Sequence, residues 1–76
     1  MTREELNNLK EGDTVKAVAV PYAAIGERGE LENWEVVQVY PANLDNPNHV
    51  GRVLITRQTE SKKHTEFVTH NTVHLV

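Results

Sequence analysis

Four histidines, His49, His64, His70 and His74, are the first residues in this sequence whose type could do chemistry. Imidazole titrates near neutrality and is the commonest protein ligand for transition metals, so a convergent pair would point to a metal or to proton transfer. His70 and His74 stand four apart, a spacing that converges only on a helix, and here they flank a turn that runs into a strand. They read as surface histidines. Nucleophilic catalysis lacks its parts: cysteine is absent, and Ser61 sits in Glu60-Ser61-Lys62-Lys63 without a base and an orienting group. Glu27, Glu30, Glu32 and Glu35 supply carboxylates, but in a polar stretch of the kind that water ordinarily solvates. No phosphate loop, dinucleotide fingerprint or calcium loop occurs. The expectation is a protein that is not an enzyme and holds no cofactor and no metal.

Charge gives a second kind of site. The net charge is −3, yet residues 1–50 hold nine of the eleven Asp and Glu against four Lys and Arg, a balance of −5. Residues 51–76 hold Arg52, Arg57, Lys62 and Lys63 against Glu60 and Glu66, a balance of +2. With His64, those four cations define a candidate stripe for nucleic acid on the C-terminal half, since small β-barrels bind nucleic acid on such faces. Phosphate neutralisation dominates that kind of affinity, so four cations in an acidic chain imply weak, salt-sensitive binding.

The elements that would position these groups can be read in order. Thr2-Arg3-Glu4-Glu5 fits a capping box, in which the Thr2 hydroxyl and the Glu5 carboxylate each satisfy the other residue's amide. A short helix follows with Leu6 and Leu9 on one face, and Gly12 is free to turn the chain. Residues 14–20 (TVKAVAV), 34–41 (WEVVQVYP), 50–59 (VGRVLITRQT), 64–69 (HTEFVT) and 73–76 (VHLV) read as five strands. Residues 21–33 form a long polar excursion with two glycines, and residues 42–49 (ANLDNPNH) have a dense turn composition. Simple alternation in the second strand puts Trp34, Val36, Gln38 and Tyr40 on one face and Glu35, Val37 and Val39 on the other, so both faces are part apolar. Seventy-six residues make one domain, 1–76, that buries only about 60% of the surface its unfolded chain exposes.

LKEGDTV before the first strand, W-x-V-V-x-V on the second and the ending F-V-T-H-N-T-V-H-L-V resemble the SH3-like barrel family from Leu9 onward. The resemblance implies a mainly β fold, a five-stranded SH3-like barrel with one short N-terminal helix. It says little about activity, because such barrels host many functions. Polyproline-binding members carry an aromatic in the final turn where this chain has Thr72. Val37-Gln38-Val39-Tyr40 is also similar to the pore-lining run of the plasmid-encoded type II dihydrofolate reductases. That would imply an oligomeric small-molecule enzyme, although in that family the run lies close to the C-terminus and here 36 residues follow Tyr40.

Absence of cysteine suits a reducing compartment, no apolar run approaches the roughly 20 residues a membrane span needs, and MTREELNNLKEGD is charged rather than signal-like. The expected location is the cytoplasm. Small size and acidic skew resemble the accessory proteins of bacteriophages and mobile elements, some of which inhibit host defence or host enzymes. The leading expectation is therefore a non-enzymatic protein-interaction module, binding another protein or itself through Tyr22, Ile25, Glu27, Glu30, Glu32, Trp34 and Tyr40. A nucleic-acid-binding barrel using Arg52, Arg57, Lys62, Lys63 and His64 is the alternative.

Overall fold

A computed structural model of the chain describes residues 1–18, 31–60 and 62–76. The chain is mainly β: helix α1 (Arg3–Asn7) precedes strands β1 (Thr14–Val18), β2 (Leu31–Tyr40), β3 (Arg52–Gln58), β4 (Lys63–Val68) and β5 (His74–Leu75). All pairings are antiparallel and the sheet order is β4-β3-β2-β1-β5. Among the described residues no ladder joins β4 to β5, which form the two edges. Strand β2 begins three residues earlier than its composition indicates, because Leu31, Glu32 and Asn33 pair with Val18, Ala17 and Lys16. Ala19 and Val20, expected at the end of the first strand, lie outside the described residues.

Local signals set the first turn of the chain. Thr2 Oγ1 accepts from the Glu5 amide at 3.1 Å and Glu5 Oε1 accepts from the Thr2 amide at 2.8 Å, completing the capping box. Five helical residues cannot stand alone, so the helix is held by burial of Leu6 against the sheet. Gly12 takes a φ of +89°, and this turn lets its amide reach the Val36 carbonyl at 2.9 Å. The Asp13 carbonyl answers by accepting from the Val36 amide at 2.8 Å, which carries the β1–β2 ladder past its last paired residues.

The core is one cluster of Leu6, Val15, Ala17, Trp34, Val36, Val53, Ile55 and Val73, with Met1, Leu9, Val39 and Val68 packed at its edge. How β2 serves this core corrects the simple alternation. On β2 the partner of Ile55 is Val36 and the partner of Leu54 is Gln38, so Val37 is an extra residue without a partner on β3. This β-bulge resets the phase of the strand. Trp34 and Val36 point inward before it and Val39 after it, while Gln38 and Tyr40 turn to the outer face with Glu35. A strand that reads as apolar on both faces thus turns Trp34, Val36 and Val39 to the core and leaves Leu31 47% and Val37 37% exposed.

Candidate functional site

Polar side chains on α1 fasten the β2–β3 connection, and that connection positions the outer face. Asn7 Nδ2 donates to the Ala42 carbonyl at 2.9 Å and Asn7 Oδ1 accepts from the Ala42 amide at 2.7 Å, as a neighbouring strand would. One Arg3 guanidinium nitrogen, Nη1, donates to the carbonyls of Asn46 and His49 at 2.7 Å each and to that of Asn43 at 3.4 Å. His49 Nδ1 accepts from the Asn43 amide at 2.7 Å, so this histidine is part of the turn's internal hydrogen bonding. A shallow open depression of about 340 Å³ beside it is lined by Thr2, Arg3, Glu4 and Leu44. It encloses no catalytic pair.

Gly51 then brings β3 in against this connection. The residue is buried, and a Cβ there would lie 2.5 Å from the Ala42 nitrogen and the Tyr40 carbonyl oxygen and 2.8 Å from the Pro41 carbonyl carbon, all backbone atoms. Only glycine fits without displacement. The next residue, Arg52, pairs with Tyr40 across the ladder, and Leu54 pairs with Phe67 on the other side. Three strands thereby assemble one group: the Arg52 guanidinium lies 4.9 Å from the Tyr40 ring centroid and 4.7 Å from that of Phe67, and the two rings are 6.0 Å apart. Tyr40 Oη donates to Gln38 Oε1 at 3.1 Å. Phe67 remains 53% exposed.

The expected site residues separate in space. Trp34 is 2% exposed and belongs to the core, so it offers no contact surface, and its Nε1 has no partner among the described residues. Glu32 lies 4.0 Å from Arg57, so an expected protein-contact carboxylate and an expected nucleic-acid cation face each other. Tyr22, Ile25, Glu27 and Glu30 lie outside the described residues. The five basic residues do not form one stripe: Arg57 and His64 pair with each other on the side that carries Ile55, Arg52 opens β3 and Lys63 opens β4 opposite Gln58 at the far end of the outer face, and Lys62 sits in the β3–β4 turn. Among the described residues no three His, Asp or Glu groups converge on a metal position. Of the Val37-Gln38-Val39-Tyr40 run, only Gln38 and Tyr40 reach the outer face as paired residues.

Phe67 and the bulge are what sequence reasoning missed. The sequence places Phe67 in the fourth strand without giving it a face, and only the pairing of β4 with β3 shows that it shares one with Leu54 and Arg52. No protein-family model, curated protein or solved structure matches the chain.

Proposed function

We propose that this chain is a non-enzymatic protein-interaction module whose contact surface is the outer face of β2, β3 and β4. The observation that carries the proposal is the exposed group of Tyr40, Arg52 and Phe67, two aromatic rings closed on a guanidinium. Tyr and Arg are the residue types most enriched where protein interfaces concentrate binding energy, and an exposed Phe beside them adds apolar area that a partner can cover. Five antiparallel strands in one sheet support the reading as an SH3-like barrel, and a host or defence protein is the target that the composition suggests.

The test is quantitative capture from a nuclease-treated bacterial lysate with wild type, Phe67→Asp and Leu44→Asp. Leu44 is 45% exposed and lines the depression with Thr2, Arg3 and Glu4, so it controls for a new surface charge. A partner retained by Leu44→Asp and lost by Phe67→Asp supports the proposal. Equal capture by both variants refutes it.

Nucleic-acid binding is the second reading, because two aromatic rings and the cations Lys16, Arg52 and Lys63 share this face. Three separated cations make such binding weak and sensitive to salt. Submicromolar affinity for oligo-dT of about 15 nucleotides at physiological salt would reverse the order of the two readings.

A further inference from the structure

We infer that the outer face receives a carboxylate from an acidic, apolar-flanked segment of a partner protein, seated on the N–H edge of Arg52 between Tyr40 and Phe67. The inference rests on the interaction-module reading and specifies the partner's chemistry. A guanidinium is a flat fork of five N–H donors whose faces stack on aromatic rings and whose edge matches a carboxylate through two parallel hydrogen bonds. In Arg52 the aromatic contacts are supplied by Tyr40 and Phe67. The N–H donors of the guanidinium are what remain. Among the described residues none of its N–H groups has a hydrogen-bond partner, and the one ion pair found there joins Arg57 to Glu32.

Among the described residues, no strand carboxylate lies beside Arg52 on this face. Glu66 precedes Phe67 but pairs with Ile55 and so faces the other side of the sheet. Glu35 is on the outer face, yet it pairs with Thr56, four residues along β3 from Arg52, or about 13 Å at strand rise. Among the described strand residues the register places Lys16, Arg52 and Lys63 on this face against one carboxylate, Glu35, within a chain of net charge −3. The face is therefore basic on an acidic protein, which complements an acidic segment. Lys63 stands beyond Gln58 at the far end of β3, about 20 Å from Arg52 by strand rise, so a phosphate backbone would meet these cations one at a time. A single carboxylate needs only one.

The test is selection of a random-sequence peptide display library on the immobilised wild-type protein, with Phe67→Asp as the counter-selection and oligo-dT as a parallel probe. The expected peptides carry Asp or Glu close to an aromatic or large aliphatic residue. Exchanging that acid for its amide in a synthetic peptide should weaken binding about tenfold, as should Arg52→Lys, which keeps the charge but loses the fork. Combining the two changes should weaken binding little further, because both remove the same contact. Peptides that bind this face yet tolerate both changes overturn the carboxylate seat and leave the interaction module standing. A library that yields nothing above the Phe67→Asp background overturns both. Arg52-dependent binding of oligo-dT in place of peptides also overturns the inference, since the occupant is then nucleic acid.

Discussion

Gly51→Ala isolates the contact that joins the β2–β3 connection to the outer face. A methyl group at this position would sit 2.5 Å from two backbone atoms, where ordinary van der Waals contact begins at 3.4 Å. About 0.9 Å must be found by moving backbone, since no flexible side chain is in the way. Overpacking of this kind costs about 1–3 kcal/mol. Replacing glycine by alanine also restricts the unfolded chain, which stabilises by about 0.4–1 kcal/mol. The steric cost wins by about 1.3 kcal/mol at mid-range, and in a domain of this size each kcal/mol moves the midpoint about 4–8 °C, so Tm should fall by about 5–10 °C. Because Arg52 follows directly and pairs with Tyr40, the displacement should also loosen the guanidinium from the Tyr40 ring. Urea unfolding and a thermal melt followed by circular dichroism measure the loss. An unchanged or raised midpoint would mean that β3 does not press on residues 40–42, and the positioning of Arg52 would need another cause.

Asn7→Ala removes both hydrogen bonds to buried Ala42 and should cost about 2 kcal/mol in urea unfolding, at about 1 kcal/mol per bond, whereas Asn8→Ala on the exposed helix end should cost less than half of that. Deleting Val37 should preserve the fold, because it leaves Val36 opposite Ile55, Gln38 opposite Leu54 and Val39 opposite Val53 in a regular ladder; a lost β spectrum would show that the extra twist of the bulge is required. The amide of Thr2 bonded to Glu5 holds that carboxyl below its ordinary value of 4.5. A carboxyl lowered in the folded state adds stability above its unfolded pKa and loses it as pH falls through the folded value, so the helix cap should weaken only in acid below about 4.5. Carbon-detected NMR titration of Glu5 should give a midpoint under 4.5, and Thr2→Pro, which removes the bonding amide, should restore the ordinary value.

The features legible in the sequence are those encoded by near neighbours. Thr2 and Glu5 announce the cap three residues apart, Gly12 announces the turn, and the β-rich runs announce all five strands. The β-bulge was hidden because Val36, Val37 and Val39 satisfy either phase of alternation equally, and the choice is made by Ile55 and Val53 on the next strand. Gly51 gave no sign of its role, since the atoms that forbid a side chain there belong to residues 40–42. The outer-face group was invisible for the same reason, as Tyr40, Arg52 and Phe67 come from three strands and meet only through register. Arg52 looked like one member of a basic run, and pairing separated it from Arg57 and His64 by putting them on opposite faces.

The most direct measurement of the central claim is backbone amide NMR of the labelled protein during titration with whichever peptide or protein is captured by wild type. The account predicts shifts concentrated at Gln38, Tyr40, Arg52, Leu54, Thr65 and Phe67, which the strand pairing places together on the outer face. Shifts confined to α1 and residues 42–49, with the outer-face amides unmoved, would contradict it.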